Sequence, residues 1–223
     1  MSKTFTEVFG GPFESPTRPS LPIPPLESLD KYFPSLARIV AETSWLPHPD
    51  TVRALGGAVF PTRRSKPEKR GKSILENGKT VGVYDDNLTP RWALLWAHGC
   101  RDNQQRRRGW AFVHLWPRSV SDDINSYTHL ANLAMIPECF ASLTDKDYPV
   151  TGYLRWHAWS VYGWKPDRAE QPRIPMDYNI QWRYFQPISA RKEFIKQQLA
   201  KLDNERVRKL RPIIEATKWP TLS

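Results

Sequence analysis

Cysteine is nearly missing from this chain: Cys100 and Cys139 are the only two among 223 residues. That excludes a disulfide-stapled scaffold, which needs several pairs to stand in for a core. Long apolar runs are missing as well. No stretch approaches the roughly 18 apolar residues of a membrane-spanning helix, and the opening Met1-Ser-Lys-Thr-Phe-Thr-Glu7 has no apolar leader segment. A cytoplasmic protein without a membrane partner is the expectation. Acidic residues are scarce relative to basic ones, 23 against 33, which gives a formal charge of +10 and a pI near 9.7. A field of that sign favours polyanions, and nucleic acid is the commonest of these in a cell. No internal repeat is visible.

What the chain does have is bulk: 39% hydrophobic residues and 10 tryptophans, enough to close one sizeable core. Mixed helical and alternating periodicity predicts an α+β fold. Residues 1–28 read as a Pro-rich arm, extended or disordered, because six prolines between Gly10 and Pro25 remove the amide donors that helices and sheets need. A single globular domain is expected over residues 29–188, wrapped by additional helices and irregular Pro- and Trp-rich segments, and a charged helix over 189–223.

Within the domain, Leu29–Ser44 has helical spacing of Leu29, Phe33, Leu36, Ile39 and Val40, and Pro34 suits only a first turn. Asp50 is expected to cap a short helix over Thr51–Leu55. The tract Pro61–Lys72 is basic and poorly hydrophobic, so a solvated or phosphate-contacting loop is expected. Lys79–Asp85 alternates as a strand, and Arg91–His98 reads as a helix closed by Gly99. After a second basic loop, Cys100–Gly109, comes a strand over Trp110–Leu115. Pro137–Leu143 and Val150–Tyr162 are expected helices, the second turning Leu154, Ala158, Val161 and Tyr162 inward. Ala190–Thr217 is expected as one long helix that Pro212 kinks or ends, its apolar stripe suited to a protein partner or a homodimer.

The most informative stretch is Arg106–Pro137. An aromatic–apolar strand delivers His114 just before Leu115-Trp116-Pro117. A polar loop with Asp122, Asp123 and Asn125 follows, and then an apolar run interrupted by Asn132. A polar side chain within such a run must find partners or cost roughly 1–3 kcal/mol. An imidazole with an ordinary pKa near 6.5 can take a proton from water near neutral pH, and an amide can orient the ring or its loop. Basic residues flank this stretch: Arg63, Arg64, Lys69 and Arg70 before it, Arg101, Arg106, Arg107 and Arg108 at its start, and Arg118 in its loop. Nucleic acid, DNA foremost, is the partner they suggest.

GWAFVHLWP, THLANLAMIP and FASLTD together resemble the HNH, or ββα-metal, endonuclease motif over about Gly109–Asp147. That resemblance implies a small ββα-metal core at about 79–147, a divalent metal (Mg²⁺ or Mn²⁺, with Zn²⁺ as the alternative), and hydrolysis of nucleic-acid phosphodiesters. It makes His114 the general base and a metal ligand, and Asn132 the second letter of the motif. Many members carry a ligand directly before the base histidine, where this chain has Val113, and another on the helix, where it has Phe140 and Ala141. Asp145, Asp122, Asp123 and His129 are the side chains left to complete a metal site. A separate metal reading joins His98, Cys100 and Cys139 with one more histidine. The alternative function is a nucleic-acid-binding or interaction protein that keeps the ββα shape without cleavage.

Overall fold

A computed structural model describes residues 30–64, 72–76, 78–84, 87–103, 108–144 and 149–222, apart from the side chains of Glu76, Lys79, Val83, Tyr84 and Arg118. The Pro-rich arm, Lys69, Arg70, Arg106, Arg107 and Asp145 lie outside the described residues. The chain divides into two units, Met1–Lys31 and Tyr32–Ser223, and the regular elements below belong to the second.

Helix α1 (Phe33–Thr43) carries Pro34 in its first turn and buries Ala37, Val40 and Ala41. Helix α2 (Pro49–Leu55) begins earlier than expected: the N-cap is His48, whose Nδ1 accepts from the Asp50 amide at 3.1 Å. Gly56, at φ 65°, closes it in the left-handed region that glycine enters without strain. Strands β1 (Thr62–Arg64), β2 (Lys72–Glu76) and β3 (Lys79–Tyr84) form a sheet in the order β1-β3-β2, with β1 parallel and β2 antiparallel to β3. Both ends of the basic tract expected as a loop are therefore strands. Backbone pairing overrides the poor hydrophobicity there, helped by Thr62, which is fully buried at the edge.

Helix α3 (Leu88–Trp96) stacks Trp92 on Trp96, with ring centroids 4.8 Å apart. Strand β4 (Trp110–His114), the one-turn helix α4 (Arg118–Ser121) and strand β5 (Leu133–Pro137) follow; β4 and β5 pair antiparallel, His114 opposite Leu133. Helices α5 (Ala141–Thr144) and α6 (Pro149–Tyr162) come next. Of the residues expected inward on α6, Val161 is instead 40% exposed. An irregular stretch leads to α7 (Arg191–Lys201) and α8 (Glu205–Thr217), two helices where one was expected. The break falls at Leu202–Asn204, because the Asn204 side chain accepts from the Val207 amide at 3.0 Å and starts a new helix. Pro212 sits inside α8 without ending it. Eight α-helices and two small sheets among the described residues make an α+β fold.

Side chains alternate across a strand, and β5 uses that alternation to join two clusters. Leu133 packs with Trp96, Phe60 and the C-terminal Ile195, Leu199, Val207 and Leu210. Ala134 and Ile136 pack with Val40 of α1 and with Leu154 and Ala158 of α6. The stripe of α7 and α8 is thus used inside this unit. On its outer edge β5 exchanges two backbone bonds with Trp45, at 2.8 and 3.0 Å. Among the described residues, no helix is long and apolar enough to cross a membrane.

Candidate functional site

Asn132 is fully buried and has both of its polar atoms engaged. Its Oδ1 accepts from the Trp116 amide at 3.2 Å and its Nδ2 donates to the Ser126 carbonyl at 3.0 Å. One side chain therefore clamps both ends of the loop joining β4 to β5. The loop is further tied by Ser121, whose hydroxyl donates to the Trp116 carbonyl at 3.1 Å. Asp123 accepts from the amides of Asn125 and Ser126 at 2.7 and 3.0 Å, a turn-closing role.

The clamped loop presents the Tyr127 carbonyl to His114. The imidazole Nε2 lies 3.0 Å from that oxygen, and the ring stacks on Tyr127 with centroids 5.1 Å apart. A carbonyl only accepts, so Nε2 carries the proton and Nδ1 the lone pair. Nδ1 has no hydrogen bond among the described residues. Burial pushes the His114 pKa down to about 4; the Tyr127 bond and the Asp122 carboxylate oppose this, and Arg64 adds to it. The ring is neutral at pH 7, a weaker base than free imidazole but an unprotonated one.

His114 lines a cleft of about 530 Å³ together with Arg64 from β1, Trp116 and Asp122 from the loop, Ser142 from α5 and Arg155 from α6. Arg155 donates from Nε to the Leu115 carbonyl at 2.8 Å. Asn87, just before α3, donates to the Phe112 carbonyl at 3.1 Å and steadies the outer side of β4. Sequence reasoning missed Arg155 and Asn87. Both are far from His114 along the chain, and Arg155 lies in a segment whose aromatic spacing reads as core.

The metal-ligand set expected from the resemblance does not assemble among the described residues. Asp122 reaches the cleft, but Asp123 is taken by the turn. His129 caps the short 3₁₀ turn Leu130–Asn132, its Nδ1 accepting from the Ala131 amide at 3.2 Å, and stacks on Trp164 at 4.3 Å. Burial pushes its pKa down to about 3. Ala141 lines the cleft where a helix ligand is expected. No group of three His, Cys, Asp or Glu side chains converges among the described residues, so those present do not fit a bound metal ion.

The His98 reading is overturned by its hydrogen bonds. His98 Nδ1 donates to the Leu94 carbonyl at 2.7 Å and Nε2 accepts from the His48 amide at 3.1 Å, so both nitrogens are spent. Cys100 Sγ donates to the His98 carbonyl at 3.6 Å, and Cys139 is a free, exposed thiol.

Of the basic residues, Arg63 is half-buried and reaches the Asp122 carbonyl at 3.5 Å. Arg101 and Arg108 are exposed. The loop bearing Arg101 is anchored by Asp102, which accepts from Arg91 at 2.9 Å and from the Trp92 indole at 3.2 Å. The backbone of Arg118 lies in α4. No protein-family model, curated protein or solved structure matches this chain, so its geometry and sequence carry the functional argument.

Proposed function

We propose that this chain is an endonuclease-like protein that binds nucleic acid, DNA foremost, and hydrolyses its phosphodiesters with His114 as general base. The observation that carries the reading is the fixed tautomer. With Nε2–H held on the Tyr127 carbonyl and the loop locked by Asn132, a neutral imidazole keeps its Nδ1 lone pair at the edge of an arginine-lined cleft. Such a base takes a proton from an attacking water within about 3 Å and contributes typically about 10²–10⁴-fold. The exposed Arg101 and Arg108 and the overall charge of +10 supply sequence-independent attraction to phosphates.

A second reading, binding without cleavage, is favoured by Ala141 and by the incomplete ligand set on the cleft. Purified protein, assayed on supercoiled plasmid and on structured RNA with Mg²⁺, with Mn²⁺ and with EDTA, separates the two. Weak nicking that His114→Ala abolishes, while affinity stays within a few-fold, is the expected result. Salt-sensitive binding with no cleavage on any substrate selects the second reading. Absence of salt-sensitive binding at 50 mM salt overturns both.

A further inference from the structure

We infer that the groove between α7 and α8 is a second binding site, which takes a free carboxylate with a hydrocarbon tail, of the medium-chain fatty acid class. It is separate from the His114 cleft and does not depend on how that cleft is read. The groove encloses about 470 Å³, within the range of small-ligand pockets. Its floor is the outer layer of the core. Leu199 of α7, and Trp219 and Leu222 beyond α8, are almost fully buried there, and Ile214 of α8 is half-buried. The Trp219 indole is held in place by its bond to the Ala58 carbonyl at 2.9 Å. An apolar tail laid on this floor leaves water against hydrocarbon surface on both sides.

The rim sets the charge of the ligand. Lys196, Arg211 and Lys218 line it against the single carboxylate of Glu215. Arg211 is spent in part, since its Nη2 donates to the Leu199 and Leu202 carbonyls at 2.6 and 3.3 Å. The head group therefore falls to the two exposed lysines, neither of which has a side-chain hydrogen bond or ion pair among the described residues. Lys218 carries the argument furthest. It closes α8 at φ 43°, in the left-handed region that strains a side chain and that glycine enters freely. Strain kept at one position points to work done by its side chain, and here that side chain puts an ammonium on the rim of an apolar groove.

Decanoate is the probe, titrated into the full-length protein below its micelle concentration at pH 8 and constant ionic strength. The readout is the ¹H–¹⁵N signal of the Trp219 indole, identified by its loss in Trp219→Phe. Saturable shifts are expected, with decanol binding several-fold more weakly. Lys196→Gln and Lys218→Gly should each weaken decanoate by about two- to fivefold, the scale of one exposed ion pair. Lys218→Gly should at the same time raise the urea midpoint, a pairing that a purely structural lysine would not give. Glu215→Gln should tighten binding, and Ala200→Trp, which fills the groove from an exposed position on α7, should abolish it. No saturable shift, equal affinity for decanol, or unchanged affinity in Lys218→Gly overturns the inference. So does a response that persists in Ala200→Trp, since the ligand then sits elsewhere. A protein that ignores decanoate but self-associates, with Ala200→Trp dispersing the dimer, gives the groove to a second copy and overturns it as well.

Discussion

His98 and His114 differ less in burial than in what their nitrogens do. Burial pushes both pKa values down to about 4, and both rings stack on an aromatic neighbour, Phe185 for His98 and Tyr127 for His114. His98 spends both nitrogens on backbone groups. His157 does the same with tyrosine hydroxyls, at 3.1 Å to Tyr178 and 2.9 Å to Tyr184. His114 spends only Nε2 and borders a cleft. A depressed pKa alone therefore does not set His114 apart here; its unspent nitrogen and its place on the cleft do. The contrast makes His98 and His157 part of the scaffold, and the general-base role proposed for His114 rests on it.

The largest expected effect tests the clamp that sets His114 apart. Asn132→Ala removes two hydrogen bonds from a fully buried position and strands the Trp116 amide and the Ser126 carbonyl. Each unsatisfied buried group costs about 1–3 kcal/mol, so a loss of about 2–6 kcal/mol is expected in urea unfolding. A loss below about 0.5 kcal/mol would mean that the loop holds its shape without the clamp, and the fixed tautomer of His114 would lose its support.

A smaller effect separates the two histidines directly. His98→Ala should cost about 2–3 kcal/mol, because the half-buried His48 amide loses its acceptor and the Phe185 stack goes with it. His114→Ala should cost only about 1 kcal/mol, since its single partner, the Tyr127 carbonyl, lies beside a cleft that water can enter. Equal losses in the two variants, measured under one set of conditions, would make His114 another scaffold histidine.

How much of this could be read from the chain differs element by element. Asn132 was legible because a lone amide in Leu130–Ile136 contrasts with its neighbours, and the structure gives it partners at both ends of one loop. His114 was legible as a strand-end residue for the same local reason. Arg155 was not, since its role depends on α6 crossing the end of β4, a contact that helical spacing in Val150–Tyr162 does not encode. Arg64 was read as part of a solvated or phosphate-contacting loop; it lies instead in a strand that pairs in parallel with β3, a long-range partnership with no local period. The break between α7 and α8 shows competition between two local signals. The apolar stripe runs through residues 194–210 as if unbroken, yet the Asn204 cap ends it. His129, offered as a metal ligand, was drawn away by its bond to the Ala131 amide two residues on.

The effect that the two histidines should share is a pH dependence. A neutral buried histidine has a folded pKa below its unfolded value near 6.5. Above pH 6.5 neither state binds the proton and the full stability is present. Between pH 6.5 and about 4 the unfolded chain binds more protons than the folded one, so stability falls as the pH falls. Below about 4 both states are protonated and the loss stops growing. Each such histidine contributes a slope of up to about 1.4 kcal/mol per pH unit inside that window. His98→Gln and His114→Gln should each flatten the acid loss of stability by a similar amount, read from urea midpoints at pH 7.5, 6 and 5. An unaltered slope in His114→Gln would mean that the ring takes up its proton at the same pH folded and unfolded. Burial would then not hold the imidazole neutral through the acid window, and the support that a fixed Nδ1 lone pair lends to a general-base role would go.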